Sequence, residues 1–324
     1  MTPTPPSGRS QQAQFLRRLL AGGVSLLAIG LAGFAQPGPG QTQTPPQRGT
    51  IKVESNLVEI LASASDENGA PLIGLPQTAF TISEEGVPQT IVRFEAQTDR
   101  PLDLALMVDA SMSTAKDLKF EEDSAAAFMK QVVRPGDTLS LFQFSDGVVQ
   151  LAEYTGNISQ LEAAAHRIEP GAGTAMYDAI VLGSRTLAHQ PAGRRRAIVI
   201  VTDAGETTSS SRYEDAQRTA VAAGTLLFSV VIRPVKNENG RNTAGEHALI
   251  TITDSVGGDF FILDTLEQMP EIFDKINREL RTQYLIGYYP SPTPPPGTLR
   301  HISLEVAGAA TVRYRKQYFT PKAR

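Results

Sequence analysis

Three short groups of oxygen-bearing side chains stand out in the sequence. The first is Asp109-x-Ser111-x-Ser113, whose aspartate directly follows the apolar run LALMV. The second is Thr174 in the glycine-rich stretch GAGTAMYD, and the third is Asp203 in VIVTDAGE. Carboxylate and hydroxyl oxygens without His or Cys suit Mg²⁺, with Mn²⁺ and Ca²⁺ as alternatives, and disfavour zinc and copper.

Each group also has an ordinary structural explanation. Ser, Thr and Asp are common helix N-caps, so Asp109 or Ser113 could cap the helix that follows, and Thr174 the next one. All three groups nevertheless lie at or beyond the ends of apolar strands, which capping alone does not require. We therefore expect a divalent-cation site, with Asp109 and Asp203 acting directly or through water.

The elements that must position these groups alternate between strands and helices. LDLALMV, RAIVIVT and TLLFSVVI are continuous apolar runs, typical of buried parallel strands. The segments between them have helical spacing. This alternation predicts a doubly wound α/β fold, with a mostly parallel sheet and helices on both faces. Ligands of such sheets bind outside the carboxyl ends of the strands, where the three groups can converge.

Two β-rich segments flank the α/β domain. Residues 50–98 and residues 285–324 alternate in polarity and contain turn signals such as Asn68-Gly69 and Glu85-Gly86. Neither segment has enough strands to bury a face alone. We expect them to pack together as one small β-sandwich domain, with residues 99–284 forming the α/β domain between them.

The N-terminal residues have the pattern of an export signal. Arg17 and Arg18 precede an apolar run that ends in small residues at Gly33 and Ala35. We expect residues 1–35 to be a signal peptide and residues 36–49, rich in Pro, Gly and Gln, to be a flexible linker. The protein would then be exported, periplasmic or extracellular, with no stable membrane span after cleavage. A retained anchor is the alternative, although the run is shorter than the roughly 20 residues that a span needs.

The composition excludes several classes of function. The net charge is −4 and there is no cysteine, so thiolate sites are absent. Nucleic-acid binding needs clustered Lys and Arg, so we do not expect a nucleic acid as a partner of this acidic chain. The one dense basic run, Arg194-Arg195-Arg196, precedes AIVIV and is expected to be the solvated start of a strand. The four histidines are scattered and are expected to be surface residues: His166, His189, His247 and His301.

Residues 101–284 resemble a von Willebrand factor type A domain. The resemblance implies a metal-ion-dependent adhesion site, in which one divalent cation, usually Mg²⁺, is bound by five residues: Asp109, Ser111, Ser113, Thr174 and Asp203. The flanks resemble the VWFA-related family of exported bacterial proteins, in the stretches LIGLPQTAFTISEEGVPQTIVRF and YLIGYYP. The chain departs from the family at Ala204, where Gly usually follows the aspartate, and at Gln317, where Gly is frequent.

These observations predict an exported, metal-dependent protein-binding module that acts in adhesion or as a scaffold. Its cation would capture an Asp or Glu of a partner protein; the sequence gives no oligomeric state. The chain has no P-loop, no dinucleotide fingerprint and no nucleophile elbow, so we expect no enzymatic activity. One alternative is a Mg²⁺-dependent phosphoryl-transfer or hydrolytic enzyme, although Ser111 occupies the position where aspartate-based phosphoryl transfer commonly has a second acid. Another is a structural envelope-assembly protein that leaves the metal site unused.

Overall fold

The computed structural model describes residues 57–112, 118–233 and 242–322. The predicted signal peptide, the predicted linker and the candidate ligand Ser113 lie outside these residues. None of the described helices is long and apolar enough to cross a membrane.

The described chain begins with four strands of the N-terminal flank. They are β1 (Val58–Ser65), β2 (Phe80–Glu84), β3 (Val87–Pro88) and β4 (Ile91–Glu95). A tight turn at Glu85-Gly86 joins β2 to β3, and both turn residues have positive φ angles. Gly tolerates such angles because it has no Cβ, which explains why this turn was recognisable in the sequence.

The central part of the chain alternates strands with helices. Its strands are β5 (Leu102–Asp109), β6 (Thr138–Phe144), β7 (Val148–Thr155), β8 (Arg195–Thr202), β9 (Leu226–Ile232) and β10 (Phe260–Leu263). Its helices are α1 (Leu118–Val132), α2 (Ile158–Ala165), α3 (Met176–Ala188), α4 (Tyr213–Ala223), α5 (Thr243–Val256) and α6 (Met269–Arg281). Within the described residues the strands form one sheet in the order β10-β9-β8-β5-β6-β7, parallel except for β7.

Both faces of this sheet are covered by helices. Alternate residues of a strand point to opposite faces. Leu104 and Leu106 of β5 accordingly pack in a core with α1, α2 and α6, whereas Ala105 and Met107 pack in a second core with α3, α4 and α5. Every residue of β5 is buried, as expected for a central strand. The predicted α/β fold class is confirmed.

The last part of the described chain contains four strands that return to the N-terminal flank. They are β11 (Tyr284–Tyr288), β12 (Leu299–Val306), β13 (Thr311–Tyr314) and β14 (Gln317–Phe319). Two antiparallel sheets result, in the orders β13-β1-β11-β4 and β14-β12-β2-β3, each built from both ends of the chain. A third core lies between them, and Ile60, Ile82, Tyr284 and Ile302 contribute to it.

The basic run at the start of β8 differs from expectation. Only 4% of the surface of Arg195 is exposed, so this residue is buried and the prediction of a solvated strand start is wrong for it. Its guanidinium group is held by carbonyl oxygens of other elements, including that of Leu280 at the end of α6. Carbonyl oxygens that are distant in sequence therefore accept from the Arg195 guanidinium group in place of water.

The order of the strands fixes where loops can converge. From β5 the chain passes to β6 on one side, and later reaches β8 on the other side of β5. The carboxyl ends of β5 and β8 are therefore neighbours at a topological switch point, where open α/β sheets bind their ligands.

Candidate metal centre

Asp109 occupies the carboxyl end of β5 and is wholly buried. Its Oδ1 accepts a hydrogen bond of 2.9 Å from the backbone N–H of Ser111. Its Oδ2 accepts one of 2.5 Å from Oγ1 of Thr202, the last residue of β8. The carboxylate is thus oriented by both of the strand ends that meet at the switch point.

Ser111 is also buried. Its backbone connects the first loop, which directly follows β5, to the second loop, the glycine-rich residues 170–175 before α3. It forms a parallel bridge with Gly171, whose N–H donates to the carbonyl oxygen of Ala110 at 2.8 Å. The N–H of Ala110 in turn donates to the carbonyl oxygen of Phe144 at 2.8 Å. These bonds hold the glycine-rich loop beside the end of β5.

The position of Thr174 argues against a simple capping role. The N-cap of α3 is Ala175, and no side chain of the N-cap residue bonds to the helix. Instead, Oε2 of Glu206 accepts from the N–H of Tyr177 at 3.0 Å, and Oγ of Ser209 accepts from the N–H of Asp178 at 3.2 Å. Side chains of the third loop, residues 203–212 between β8 and α4, therefore cap α3, and the capping alternative for Thr174 is wrong.

The backbone of Thr174 is fixed by the same third loop. Its N–H donates to Oγ1 of Thr207 at 2.8 Å, and its carbonyl oxygen accepts from the N–H groups of Thr207 and Thr208 at 2.9 and 3.2 Å. Thr174 is 5% exposed. The second and third loops consequently form one hydrogen-bonded unit.

Asp203 is the first residue after β8 and is buried. Its Oδ1 accepts a hydrogen bond of 2.8 Å from the N–H of Gly205. A Cβ atom placed on Gly205 would lie 2.9 Å from this Oδ1 and 3.3 Å from Oγ1 of Thr174. The two predicted ligand oxygens therefore face the same small space, which a side chain at position 205 would fill.

Ala204 stands where the family usually has Gly, and its backbone has the conformation that Gly favours. Its φ angle is +63°, in the left-handed region where Gly is favoured and other residues are strained by roughly 1–2 kcal/mol. The residue is fully buried, and a Cβ on Gly245 of α5 would come within 1.9 Å of its carbonyl oxygen. The third loop thus keeps the backbone conformation for which Gly is suited, although Ala stands there.

Asp146, which is not a predicted ligand, accepts a hydrogen bond from the backbone of the second loop. It lies in the turn between β6 and β7, and its Oδ2 accepts from the N–H of Ala172 at 2.9 Å. A Cβ on Gly171 or Gly173 would approach its carboxylate oxygens to 2.9 or 3.0 Å. Local sequence does not indicate this contact, because it joins residues that are 26 positions apart.

The electrostatics of the site suit a cation. Burial raises the pKa of Asp109 to about 6, and the nearby charge of Asp203 adds to the rise, whereas the hydrogen bonds from Thr202 and Ser111 oppose it. A divalent ion would favour the charged form of both acids. Among the described residues no group of three or more His, Cys, Asp and Glu side chains is placed to hold a metal, so hydroxyl oxygens would have to complete this one.

Of the five predicted ligands, the structure brings four to the same edge of the sheet: Asp109, Ser111, Thr174 and Asp203. Ser113 lies outside the described residues. The supporting residues that sequence reasoning missed are Thr202, Glu206, Thr207 and Ser209. The hydroxyl-rich stretch TTSSS that follows Glu206 is a local signal that could have indicated Thr207 and Ser209.

A family model of known proteins matches the same segment of the chain. Residues 104–206 match the family model described as the von Willebrand factor type A domain, a stretch that runs from β5 to the third loop. No curated protein matches the sequence. The predicted resemblance to the type A domain is confirmed over these residues.

Several solved structures are similar to part of the chain. The conserved hypothetical protein BatB from Bacteroides thetaiotaomicron is 17% identical, with a TM-score of 0.44 over 55% of this chain and 98% of that one. The von Willebrand factor type A protein from Catenulispora acidiphila is 11% identical, with a TM-score of 0.48 over 82% and 74%. The vWF domain of the type V pili tip protein Mfa5 from Porphyromonas gingivalis is 12% identical, with a TM-score of 0.46 over 56% and 95%.

Proposed function

We propose that the type A domain of this chain binds a partner protein through a divalent cation, Mg²⁺ in the first instance. The cation would be held by Asp109, Ser111, Ser113, Thr174 and Asp203, and the partner would supply an Asp or Glu carboxylate. One observation supports the proposal: the first, second and third loops meet at the switch point, where four of the proposed ligand residues are buried, namely Asp109, Ser111, Thr174 and Asp203.

The chemistry of the donors supports recognition of an acid. Asp109 and Asp203 carry the negative charge of the proposed ligand set, and the hydroxyl groups are neutral. Mg²⁺ prefers octahedral oxygen coordination and keeps several waters, so a displaceable water leaves a position for an outside carboxylate. A partner acid would also neutralise charge that the hydroxyl ligands leave uncompensated.

The construction of the loops supports a binding role over a purely structural one. Glu206 and Ser209 cap α3, so the helix does not require the Thr174 side chain. Gly205 leaves open the space between Asp203 Oδ1 and Thr174 Oγ1. A loop that served only to connect β8 to α4 would have no need for this space.

An enzymatic role has less support. Phosphoryl transfer by aspartate commonly uses a second acid two residues after the first, and Ser111 stands at that position. Type A domains mostly bind rather than catalyse. We therefore propose a non-enzymatic module that is exported by its N-terminal signal and acts in adhesion or as a scaffold.

The test is a binding experiment on extracts of the source envelope. The immobilised protein is incubated with extract in Mg²⁺ or in EDTA, beside Asp109→Asn and the control Asp264→Asn. The control removes an acid whose ion pair within the described residues is with Arg233, away from the proposed site. The proposal expects a partner that is retained in Mg²⁺ by wild type and the control, and lost with EDTA or Asp109→Asn. Retention of the same partners in EDTA would contradict it.

A further inference from the structure

A second polar site lies at the opposite end of the central sheet. A cavity of about 100 Å³ is found where β8 and β9 begin and where β1 and β11 of the β-sandwich pack against them. Its charged lining consists of five arginines and one acid: Arg100, Arg194, Arg195, Arg196, Arg315 and Glu59. This site is separate from the candidate metal centre, since Arg195 and Asp203 lie at opposite ends of β8.

Two of the five arginines are neutralised by carboxylates. Arg100 donates two hydrogen bonds to Glu59, at 2.9 and 3.0 Å. Arg194 donates from Nε to both oxygens of Asp103 at 2.8 Å. Across the described residues no salt bridge reaches the other three, namely Arg195, Arg196 and Arg315.

Arg195 and Arg196 bond instead to neutral oxygens. Nε of Arg195 donates to the carbonyl oxygen of Arg100 at 2.7 Å, and its Nη1 donates to that of Leu280. Nη1 of Arg196 donates to the carbonyl oxygen of Ala223 at 3.2 Å. Leu280 and Ala223 lie in the last turns of α6 and α4, where a helix end contributes only about half a negative charge. Most of the positive charge is therefore left uncompensated.

Arg315 adds a third such charge from the β-sandwich side. Its Nη2 donates to the carbonyl oxygen of Glu59 at 2.6 Å, and its guanidinium lies over the ring of Tyr318, 5.6 Å from the centroid. The Nε atoms of Arg315 and Arg196 are buried and have no hydrogen-bond partner in the described part of the chain. A buried donor without a partner is costly and favours a ligand that can accept from it.

We infer that this cavity binds a small tetrahedral oxyanion of the phosphate or sulfate class. Guanidinium groups present planar, paired N–H donors that match such oxyanions, and low local dielectric strengthens the attraction. The volume can hold several water molecules, each of which occupies about 30 Å³ in the liquid, and hence one such anion but not a nucleotide. The donors that this anion would engage are the buried Nε groups of Arg196 and Arg315, since both residues line the cavity and neither Nε has a partner in the described part of the chain.

An anion in this cavity would link the α/β domain to the β-sandwich and so stabilise the fold. Arg195 and Arg196 belong to the α/β domain, whereas Arg315 and Glu59 belong to the β-sandwich. An anion bound by Arg196 and Arg315, whose buried Nε atoms have no partner in the described part of the chain, would hold the α/β domain and the β-sandwich together. It would bind the native state and not the unfolded chain. It must therefore raise the melting temperature in a saturable way.

The test is calorimetric titration of the full chain with inorganic phosphate and, separately, with sulfate. EDTA is present throughout, and sodium chloride of equal ionic strength is the reference. We expect one saturable site per chain, with affinity at least about tenfold weaker in Arg196→Gln and in Arg315→Gln. The matched control is Arg233→Gln, because Arg233 also has a buried Nε without a partner but lies outside the cavity. It should bind as wild type does.

A variant with the opposite effect separates binding from loss of fold. Glu59→Gln removes the one carboxylate of the lining and should tighten phosphate binding, a result that destabilisation cannot produce. The inference is overturned if wild type shows no saturable phosphate or sulfate binding, if Arg233→Gln weakens it equally, or if Glu59→Gln does not tighten it. Asp109→Asn should leave phosphate affinity unchanged, so the outcome is independent of the metal site.

Discussion

Oγ1 of Thr202 donates a 2.5 Å hydrogen bond to Oδ2 of Asp109, so the last residues of β8 and β5 are joined across the switch point. The same hydroxyl oxygen accepts from the N–H of Ala204 at 3.0 Å. Thr202 therefore connects the first loop to the third, although it was not among the predicted ligands. Its hydroxyl group orients a ligand and holds the loop that carries another.

Replacing Thr202 by Val should weaken both the fold and the cation site. The change leaves the N–H of Ala204 without its acceptor and removes the Thr202 donor from Oδ2 of Asp109, so we expect a loss of about 1–3 kcal/mol in the free energy of unfolding. Mg²⁺ affinity should fall several-fold. Thr202→Ser keeps the hydroxyl group and should retain most of both. Urea unfolding and calorimetry measure the two effects, and a Val variant with wild-type Mg²⁺ affinity would refute the orienting role.

Gly205→Ala tests the space between two proposed ligands. The new Cβ would lie 2.9 Å from Asp203 Oδ1 and 3.3 Å from Thr174 Oγ1, so one oxygen must move. We expect Mg²⁺ affinity to fall at least about tenfold, because hard-cation ligands must keep metal–oxygen distances near 2.1 Å. Gly147→Ala is the control, since its Cβ would meet nothing within 4 Å. Equal affinities in both variants would show that the space is not used.

Ala204→Gly tests whether the alanine is a tolerated departure from the family pattern. Gly relieves the strain of the positive φ angle but loses a buried methyl group and gains freedom in the unfolded state. These effects oppose each other, so stability should change by no more than about 1 kcal/mol. Mg²⁺ affinity should be unchanged. Ala204→Val, a β-branched residue at a positive φ angle, should be clearly destabilised. A Gly variant that loses Mg²⁺ binding would show instead that the methyl group shapes the loop.

Asp259 should make stability depend on pH. Burial raises its pKa above the ordinary 3.8, against the opposing effect of Arg313 and Lys275, and burial likewise raises the pKa of Glu279, which also faces Arg313. A raised folded-state pKa contributes stability that is fully present below the ordinary value and is lost as pH rises through the raised one.

The measurement compares unfolding of wild type and Asp259→Asn from pH 4 to pH 7 in EDTA. The free energy of unfolding of wild type should decline relative to that of the variant as pH rises, since the variant cannot ionise at this position. A difference that is constant, or that moves in favour of wild type at higher pH, would contradict the effect of burial on Asp259.

The strand-end groups were predictable because they follow directly from local sequence. Apolar runs that end in Asp109 and Asp203 indicate central parallel strands, and parallel strands bring their carboxyl ends to one edge. Glycine at positions 171 and 205 likewise signals close approach of the backbone. The pairing of the two β-rich flanks was predictable as well, because neither could bury a face alone.

The supporting contacts were not predictable, because they join residues distant in sequence. Thr202 lies 93 positions from Asp109, and Glu206 lies 29 positions from the helix N–H that it caps. The burial of Arg195 depends on the end of α6, 85 positions away. No local spacing encodes these contacts, which arise only when the strand order is fixed.

The central claim is tested most directly by calorimetric titration of the metal-free protein with Mg²⁺, for wild type, Asp109→Asn and the control Asp264→Asn. Asn is chosen because it keeps the shape and the acceptor oxygen of Asp109 while removing its charge; circular dichroism checks the fold. We predict one saturable Mg²⁺ site in wild type and in the control, and none in a folded Asp109→Asn variant. A wild type that binds no divalent ion at millimolar concentration, or a folded Asp109→Asn variant that binds as tightly as wild type, would contradict the account.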